Sequence, residues 1–134
     1  MLEGLDNGGF RMSWVNWVPL KCNIFAWRAE GHQIPTKIEL HKRNVSVGST
    51  ICPLCEDGSE SVEHLFTGCS IALEVWCRIT KWCGIPNGFF FDVRDLLEIG
   101  KLTSGSKKKR KVINGIVIAT IWCVWLARNN KVFN

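Results

Sequence analysis

The pattern of apolar positions predicts a chain made mostly of helices. Residues 22–30 are rich in apolar side chains, follow Trp17 and Pro19, and end at Gly31. A glycine directly after an apolar-rich segment is typical of a helix end, so this segment predicts the first helix. Residues 1–13 are polar and glycine-bearing, which predicts a flexible lead-in.

Capping residues predict two short helices. Thr36 and Glu39 fit the T-x-x-E capping box, in which hydroxyl and carboxylate each bind an unpaired amide at a helix start. This predicts a second helix that runs to about Arg43. Asp92 precedes an apolar stretch that reaches Gly100, and it predicts another short helix.

Between these helices, residues 72–83 carry apolar side chains every three or four positions, followed by Gly84 and Pro86. This spacing predicts a helix that buries Trp76. Residues 45–51 alternate weakly between apolar and small polar side chains, which indicates an extended segment.

The C-terminal part predicts one long helix over residues 107–133, after a linker at 103–106. Only Gly115 interrupts the helical pattern, at a cost of about 1 kcal/mol relative to alanine. Residues 112–127 are apolar and flanked by cations, a pattern that suggests a membrane span as an alternative. The stretch falls short of the roughly 20 residues needed and contains Asn114, so a helix packed on the core is favoured and no membrane partner is expected.

Charge is concentrated in one place. The 134 residues suffice for one compact domain, and the net charge of +5 equals the charge of a single basic run, residues 107–111. This run resembles a nuclear import signal, although a solvated helix start fits it equally well. Its members are Lys107, Lys108, Lys109, Arg110 and Lys111.

Cysteine usage indicates a reducing compartment. Seven cysteines is an odd number, and the first ten residues lack a basic-then-apolar secretion signal. We therefore expect an intracellular protein, nuclear or cytoplasmic, without disulfides. Four cysteines lie among apolar residues, where a free thiol packs like a small hydrophobe: Cys22, Cys77, Cys83 and Cys123.

The remaining cysteines form the pattern C-x2-C-x8-H-x4-C with Cys52, Cys55, His64 and Cys69. Three thiolates and an imidazole at such short spacing are the ligands that Zn²⁺ prefers. Four protein ligands fill a tetrahedral zinc and leave no position for an activated water, so we expect one structural ion. A zinc deaminase is disfavoured, because Glu63 precedes the histidine and the Cys-x-x-Cys element comes first.

Acidic side chains dominate this segment. Residues 52–69 contain four carboxylates and no lysine or arginine, and three thiolates on a divalent ion add negative charge. We therefore expect the zinc loop to avoid phosphate, and any nucleic acid to contact cations elsewhere. The candidates are Lys37, His41, Lys42 and Arg43, and the basic run.

Several further segments surround the four candidate ligands in a fixed order. They are Trp17-Val18-Pro19-Leu20-Lys21, Phe25-Ala26-Trp27-Arg28, Pro35-Thr36-Lys37, Leu40, Arg43, Cys52-Pro53-Leu54-Cys55, Glu60, His64-Leu65-Phe66, Cys69 and Trp76. Together they resemble the zinc-binding domain family of reverse transcriptases, found in plant non-LTR retroelements. The resemblance covers residues 14–83, and residues 121–129 resemble the segment that often follows.

The resemblance implies a mainly α fold, a zinc site on the four ligands named above, and an accessory role beside a reverse transcriptase. We divide the chain into the lead-in, a zinc-binding domain at 14–83 and a helical extension at 84–134 packed on it. RNA or DNA, or a reverse transcriptase or ribonuclease H domain, are the expected partners, with no small-molecule substrate. The alternative is a structural zinc module for protein interaction, or a retroelement remnant without function.

The chain departs from the family's enzymes in its catalytic residues. It has no tyrosine, so the Tyr-x-Asp-Asp polymerase motif is absent, and its aspartates are few and scattered. We therefore expect no polymerase or ribonuclease H activity from this chain alone. Trp76, Trp82, Trp122 and Trp125 suggest base stacking, but tryptophans on apolar helix faces are more often core. His32 and His41 are expected at the surface.

Overall fold

A computed structural model describes residues 6–7, 10–86, 88 and 90–134 and is mainly helical, as the sequence predicts. Two very short strands pair antiparallel before the first helix. The elements are β1 (Asp6–Asn7), β2 (Phe10–Arg11), α1 (Leu20–Glu30), α2 (Lys37–Lys42), a π-helical turn (His64–Gly68), α3 (Ser70–Cys83), α4 (Val93–Leu97), a 3-10 turn (Ile99–Leu102) and α5 (Lys107–Phe133).

Local chemistry accounts for the helix starts. Helix α1 begins at Leu20, two residues before the predicted start, because Pro19 takes the N-cap position. The Thr36 hydroxyl accepts the Glu39 amide of α2 at 3.3 Å, and the Asp92 carboxylate accepts the Asp95 amide of α4 at 3.0 Å. Both caps are where the sequence places them.

The extended segment predicted for residues 45–51 is wrong apart from its last residue. Only Ile51 forms an isolated bridge, with Ser59. The Val45 amide bonds back to the Leu40 carbonyl at 3.0 Å, and Gly48 has a φ of +72°, so the chain turns instead of extending.

The division into domains stays a prediction, and residues 1–5 and 8–9 of the lead-in lie outside the described part of the chain.

One hydrophobic core joins α1, the π-helical turn, α3 and α5. Phe25 of α1 contacts three aromatic rings in it, with its ring centroid 5.3 Å from both Trp122 and Trp125 and 6.3 Å from Phe66. Trp76 is buried, and its indole N–H donates to the Phe66 carbonyl at 2.9 Å. The predicted core role of these tryptophans is confirmed for Trp76 and Trp125, while Trp122 is half-buried.

Three other core predictions are wrong. Trp82 is 75% exposed, and Cys77 and Cys123 are exposed as well. Helix α3 buries Ala72, Trp76 and Thr80, a spacing of four that turns its neighbouring positions toward solvent. Cys22 is buried and Cys83 half-buried.

Helix α5, at 27 residues, is long and apolar enough to cross a membrane by length and composition. The length of the helix therefore no longer argues against a membrane span. Its most apolar window is 44% buried inside the protein, and a helix packed in the core of a globular domain passes the same test. Helix α5 packs on α1, and the absence of a membrane partner stays a prediction.

Candidate metal centre

A tight hairpin presents the first two cysteines. The Cys52 amide bonds to the Gly58 carbonyl at 2.9 Å, and the Glu60 amide bonds to the Thr50 carbonyl at 2.7 Å. Between these pairs, the Glu56 amide returns to the Cys52 carbonyl at 2.9 Å, and Glu56 itself has a left-handed φ of +57°. The turn thus brings the Cys52 and Cys55 side chains to the same side of the hairpin.

The π-helical turn presents the other two candidate ligands. His64 is its first residue, and Cys69 follows its last residue and caps α3. A spacing of five residues places side chains on different faces of an α-helix, whereas the wider π turn aligns them. The Cys69 amide closes this turn on the His64 carbonyl. The x4 spacing in the sequence therefore corresponds to one wide helical turn.

The four side chains meet at one point. One ligand atom from each of Cys52, Cys55, His64 and Cys69 lies within 4.8 Å of all the others, and the Cys55 Sγ and His64 Nε2 atoms are 3.3 Å apart. Ligands about 2.3 Å from a tetrahedral zinc lie roughly 3.8 Å from each other. The spacing and the donor set, three sulfurs and one nitrogen, therefore fit zinc.

Burial and hydrogen bonds shift the pKa values of two of the thiols in opposite directions. Burial of Cys52, assisted by nearby Cys69, raises its pKa to about 12 despite opposing backbone hydrogen bonds from Cys55 and Leu54. Burial also acts to raise the pKa of Cys55, but hydrogen bonds at Asp57, Cys52 and Cys69 outweigh it and lower this pKa. A metal at this site would therefore compete with a proton for the Cys52 sulfur.

Two glycines make room for the imidazole. A Cβ at Gly58 would lie 3.1 Å from His64 Cε1, and a Cβ at Gly68 would lie 3.3 Å from His64 Nδ1. Gly58 also has a left-handed φ of +75°, which an L side chain adopts only with strain. These positions hold the ring in the orientation that faces the cysteines.

We expect Gly58→Ala to weaken zinc binding about tenfold, because the new methyl group displaces the imidazole and strains the turn. Gly48→Ala is the matched control, since Gly48 has a similar φ of +72° and nothing within 4 Å of its Cβ position. Competition with a chromogenic chelator measures both affinities. Equal affinities for the two variants would show that the imidazole does not depend on this glycine.

A buried ion pair supports the hairpin, and no local pattern in the sequence predicts it. Glu60 is fully buried and Arg128 of α5 is 4% exposed. The Arg128 Nε and Nη2 atoms donate to the two Glu60 carboxylate oxygens, both at 2.7 Å. The same carboxylate accepts the Lys37 amide at the start of α2, at 2.8 Å. Glu60 therefore ties the hairpin to α2 and α5 rather than adding to a surface charge.

The predicted nucleic-acid contacts fall into two separate groups. The basic run occupies the first turns of α5, and all five members are exposed. Lys37 is half-buried, while Lys42 is exposed and pairs with Glu39 at 3.3 Å; Arg43 and His41 are exposed. Lys37 lies beside Asn130 and Lys131 near the far end of α5, about 33 Å from the middle of the run along the helix.

Comparison with known proteins gives one family and one relative. The family described as zinc-binding in reverse transcriptase matches residues 5–76. An Arabidopsis thaliana protein provisionally named a ribonuclease H protein is 31% identical over 70 residues, which are 52% of this chain and 11% of that protein. The chain thus spans about a tenth of this relative. No solved structure matches the chain.

The matched region contains the hairpin, the π-helical turn and all four candidate ligands. Sequence match and geometry therefore point to the same site by separate routes. This chain belongs to the family of zinc-binding domains of reverse transcriptases.

Proposed function

We propose that the chain is an accessory module of a retroelement-type reverse transcriptase, folded around one zinc ion, that binds nucleic acid through the basic run. The module is non-catalytic by itself, since four protein donors complete a tetrahedral zinc and leave no place for a reacting water. A non-LTR retroelement origin and a nuclear or cytoplasmic location form part of the proposal.

The observation that carries this proposal is the unpaired charge at the start of α5. Helix α5 contains no aspartate or glutamate along its 27 residues. Within the described part of the chain, no carboxylate pairs with any member of the basic run. Five exposed cations without counter-charges form a surface that attracts a polyanion.

The position of these cations is unfavourable for the protein alone. The helix dipole places positive potential at the N-terminus, where lysine and arginine each cost some tenths of a kcal/mol. Lys107 and Lys111 also stand four residues apart, a spacing at which like charges repel. Bound phosphates would relieve both effects, which favours an anionic partner over a merely solvated helix start.

The zinc hairpin has the opposite character. Glu56 and Asp57 are exposed on it, and the thiolates of a filled site add further negative charge. Glu63, beyond the hairpin, pairs with His32 at 2.9 Å. This surface repels phosphate, so the zinc serves to fold the chain and the basic run serves to bind.

Changing all five cations of the basic run to glutamine tests the proposal. We expect loss of most RNA or DNA affinity and a shallower dependence of binding on salt, by about 0.7–0.9 in log–log slope for each lost phosphate contact. A second variant changes Lys37, Lys42 and Arg43, the other predicted nucleic-acid contacts near the far end of α5, to glutamine and tests whether they take part. Fluorescence anisotropy at several salt concentrations measures both. Unchanged affinity and slope in the first variant would refute the proposal.

A second candidate function is docking on a neighbouring enzyme domain. A groove of about 520 Å³ lies between α1, α2 and the end of α5, and Phe133 at its edge is 75% exposed. The name of the Arabidopsis relative makes a ribonuclease H domain one partner to test, and the description of the family makes a reverse transcriptase domain the other. Retention of Phe133→Ser by such a domain as strongly as the unchanged chain would count against this function.

A further inference from the structure

Trp17 is an exposed indole that the protein holds in one place. Its side chain is 54% exposed, yet its Nε1–H donates to the Lys111 carbonyl of α5 at 3.1 Å. The ring edge that carries Nε1, Cε2 and Cζ2 lies against Gly115, where a Cβ would collide with these atoms. The glycine that weakens α5 thus has a structural reason, because it lets the indole lie directly on the helix.

The hydrogen bond and the contact with Gly115 occupy one edge of the Trp17 indole and leave the rest of the ring exposed. The only polar atom of the indole is already used, and one edge is covered by the helix. Exposed tryptophans usually lose conformational freedom when they bind a partner, whereas this ring is fixed beforehand. A flat apolar surface is therefore presented next to Lys111, the last residue of the basic run.

A second aromatic and cation pair continues along the same helix. Lys21 of α1 lies with its Nζ 5.7 Å from the centroid of the Trp122 ring. Positions 111, 115, 118 and 122 follow each other at spacings of three and four, so they share one side of α5. Lys111 and Trp122 are thus about 17 Å apart on this side. Trp17 covers the buried Gly115 between them, and Lys21 of α1 lies against Trp122.

We infer that this strip, made of Lys111, Trp17, Lys21 and Trp122, binds single-stranded nucleic acid, with a base stacked on Trp17. The inference rests on the proposed function and specifies its ligand. Phosphates pair with lysines in single strands and duplexes alike, but only an unpaired base exposes a face to an aromatic ring. A duplex would contact the basic run and leave the indole unused.

The first test uses the unchanged, zinc-loaded protein. Its affinity is measured at one salt concentration for a single-stranded DNA oligonucleotide, the same strand as RNA, and a strand of equal length whose bases are replaced by abasic sites. Stacking of one base predicts that the strands with bases bind about 5- to 150-fold more tightly than the abasic strand. Equal affinity for intact and abasic strands would overturn the inference.

The second test locates the stacking surface. We expect Trp17→Leu to lose this preference for bases, with duplex affinity within about twofold and the salt slope unchanged, while Trp17→Phe keeps most of the preference. Phe91→Leu is the control, because Phe91 is 78% exposed and its amide bonds to the Asp95 carboxylate at 2.8 Å. Thermal melting and zinc content check that each variant is folded.

The outcomes separate the two proposals. No binding of any strand or duplex by the unchanged protein refutes nucleic-acid binding itself. Binding of strands and duplex that depends on the basic run but not on bases or on Trp17 refutes only the single-strand inference. A preference for bases that persists in Trp17→Leu also refutes it, because the stacking surface would lie elsewhere.

Discussion

Cys52→Ser is expected to lose zinc and to abolish cooperative thermal unfolding. Cys52 is fully buried and begins the hairpin, so its thiolate joins the hairpin to the π-helical turn only through the ion. A serine hydroxyl is a poor zinc ligand, and the three donors that remain bind more weakly. In small zinc domains the binding free energy, of order 10 kcal/mol, is folding free energy.

Native mass spectrometry measures the zinc content, and circular dichroism follows unfolding with temperature. Cys77→Ser is the matched control, since Cys77 is an exposed thiol on α3. It should keep full zinc content and an unchanged melting temperature. His64→Ala should behave like Cys52→Ser, because it removes the one nitrogen donor. Full zinc occupancy together with normal melting in either ligand variant would contradict a structural zinc site.

Much of this architecture follows from short-range signals in the sequence. The caps at Thr36 and Asp92 and the long final helix are local features, and the structure reproduces them. The candidate ligands were also recognisable, because four donors within eighteen positions leave few ways to arrange them. The π-helical turn was not predicted. The x4 interval between His64 and Cys69 is the sequence feature that could have suggested it.

Long-range pairings were not predictable. Glu60 and Arg128 are 68 positions apart, and nothing near either residue indicates that they meet. Residues 52–69 therefore carry less negative charge at the surface than the sequence suggests, because Glu60 is buried and paired with Arg128. Trp82 is a second example. The sequence pattern predicts a core position for it, but α3 buries Ala72, Trp76 and Thr80 and turns Trp82 toward solvent.

Glu60→Gln is expected to destabilise the zinc-loaded protein by about 3 kcal/mol or more. The amide has the size of the carboxylate and can still accept the Lys37 amide, but it leaves the guanidinium of Arg128 buried without a counter-charge. Loss of one partner from a buried pair costs roughly 3–5 kcal/mol. Arg128→Met should cost a similar amount, because it leaves the carboxylate unpaired. Urea unfolding at saturating zinc measures both.

An exposed ion pair provides the comparison. Glu74 and Arg78 on α3 are 3.0 Å apart with side chains 62% and 80% exposed, and such pairs contribute about 0.5 kcal/mol or less. Glu74→Gln should therefore lower the free energy of unfolding by no more than this. A loss for Glu60→Gln as small as for Glu74→Gln would mean that the buried pair is not needed to hold the hairpin.

The double variant Glu60→Leu with Arg128→Met decides what the pair does. Removal of both charges eliminates the desolvation cost, so this variant should be more stable than either single variant and should approach the unchanged protein. If stability returns but zinc affinity is lower than in the unchanged protein, the ion pair acts by positioning the hairpin, since apolar side chains fill the space without the two short bonds or the Lys37 contact. If both return, general packing between the hairpin and α5 suffices.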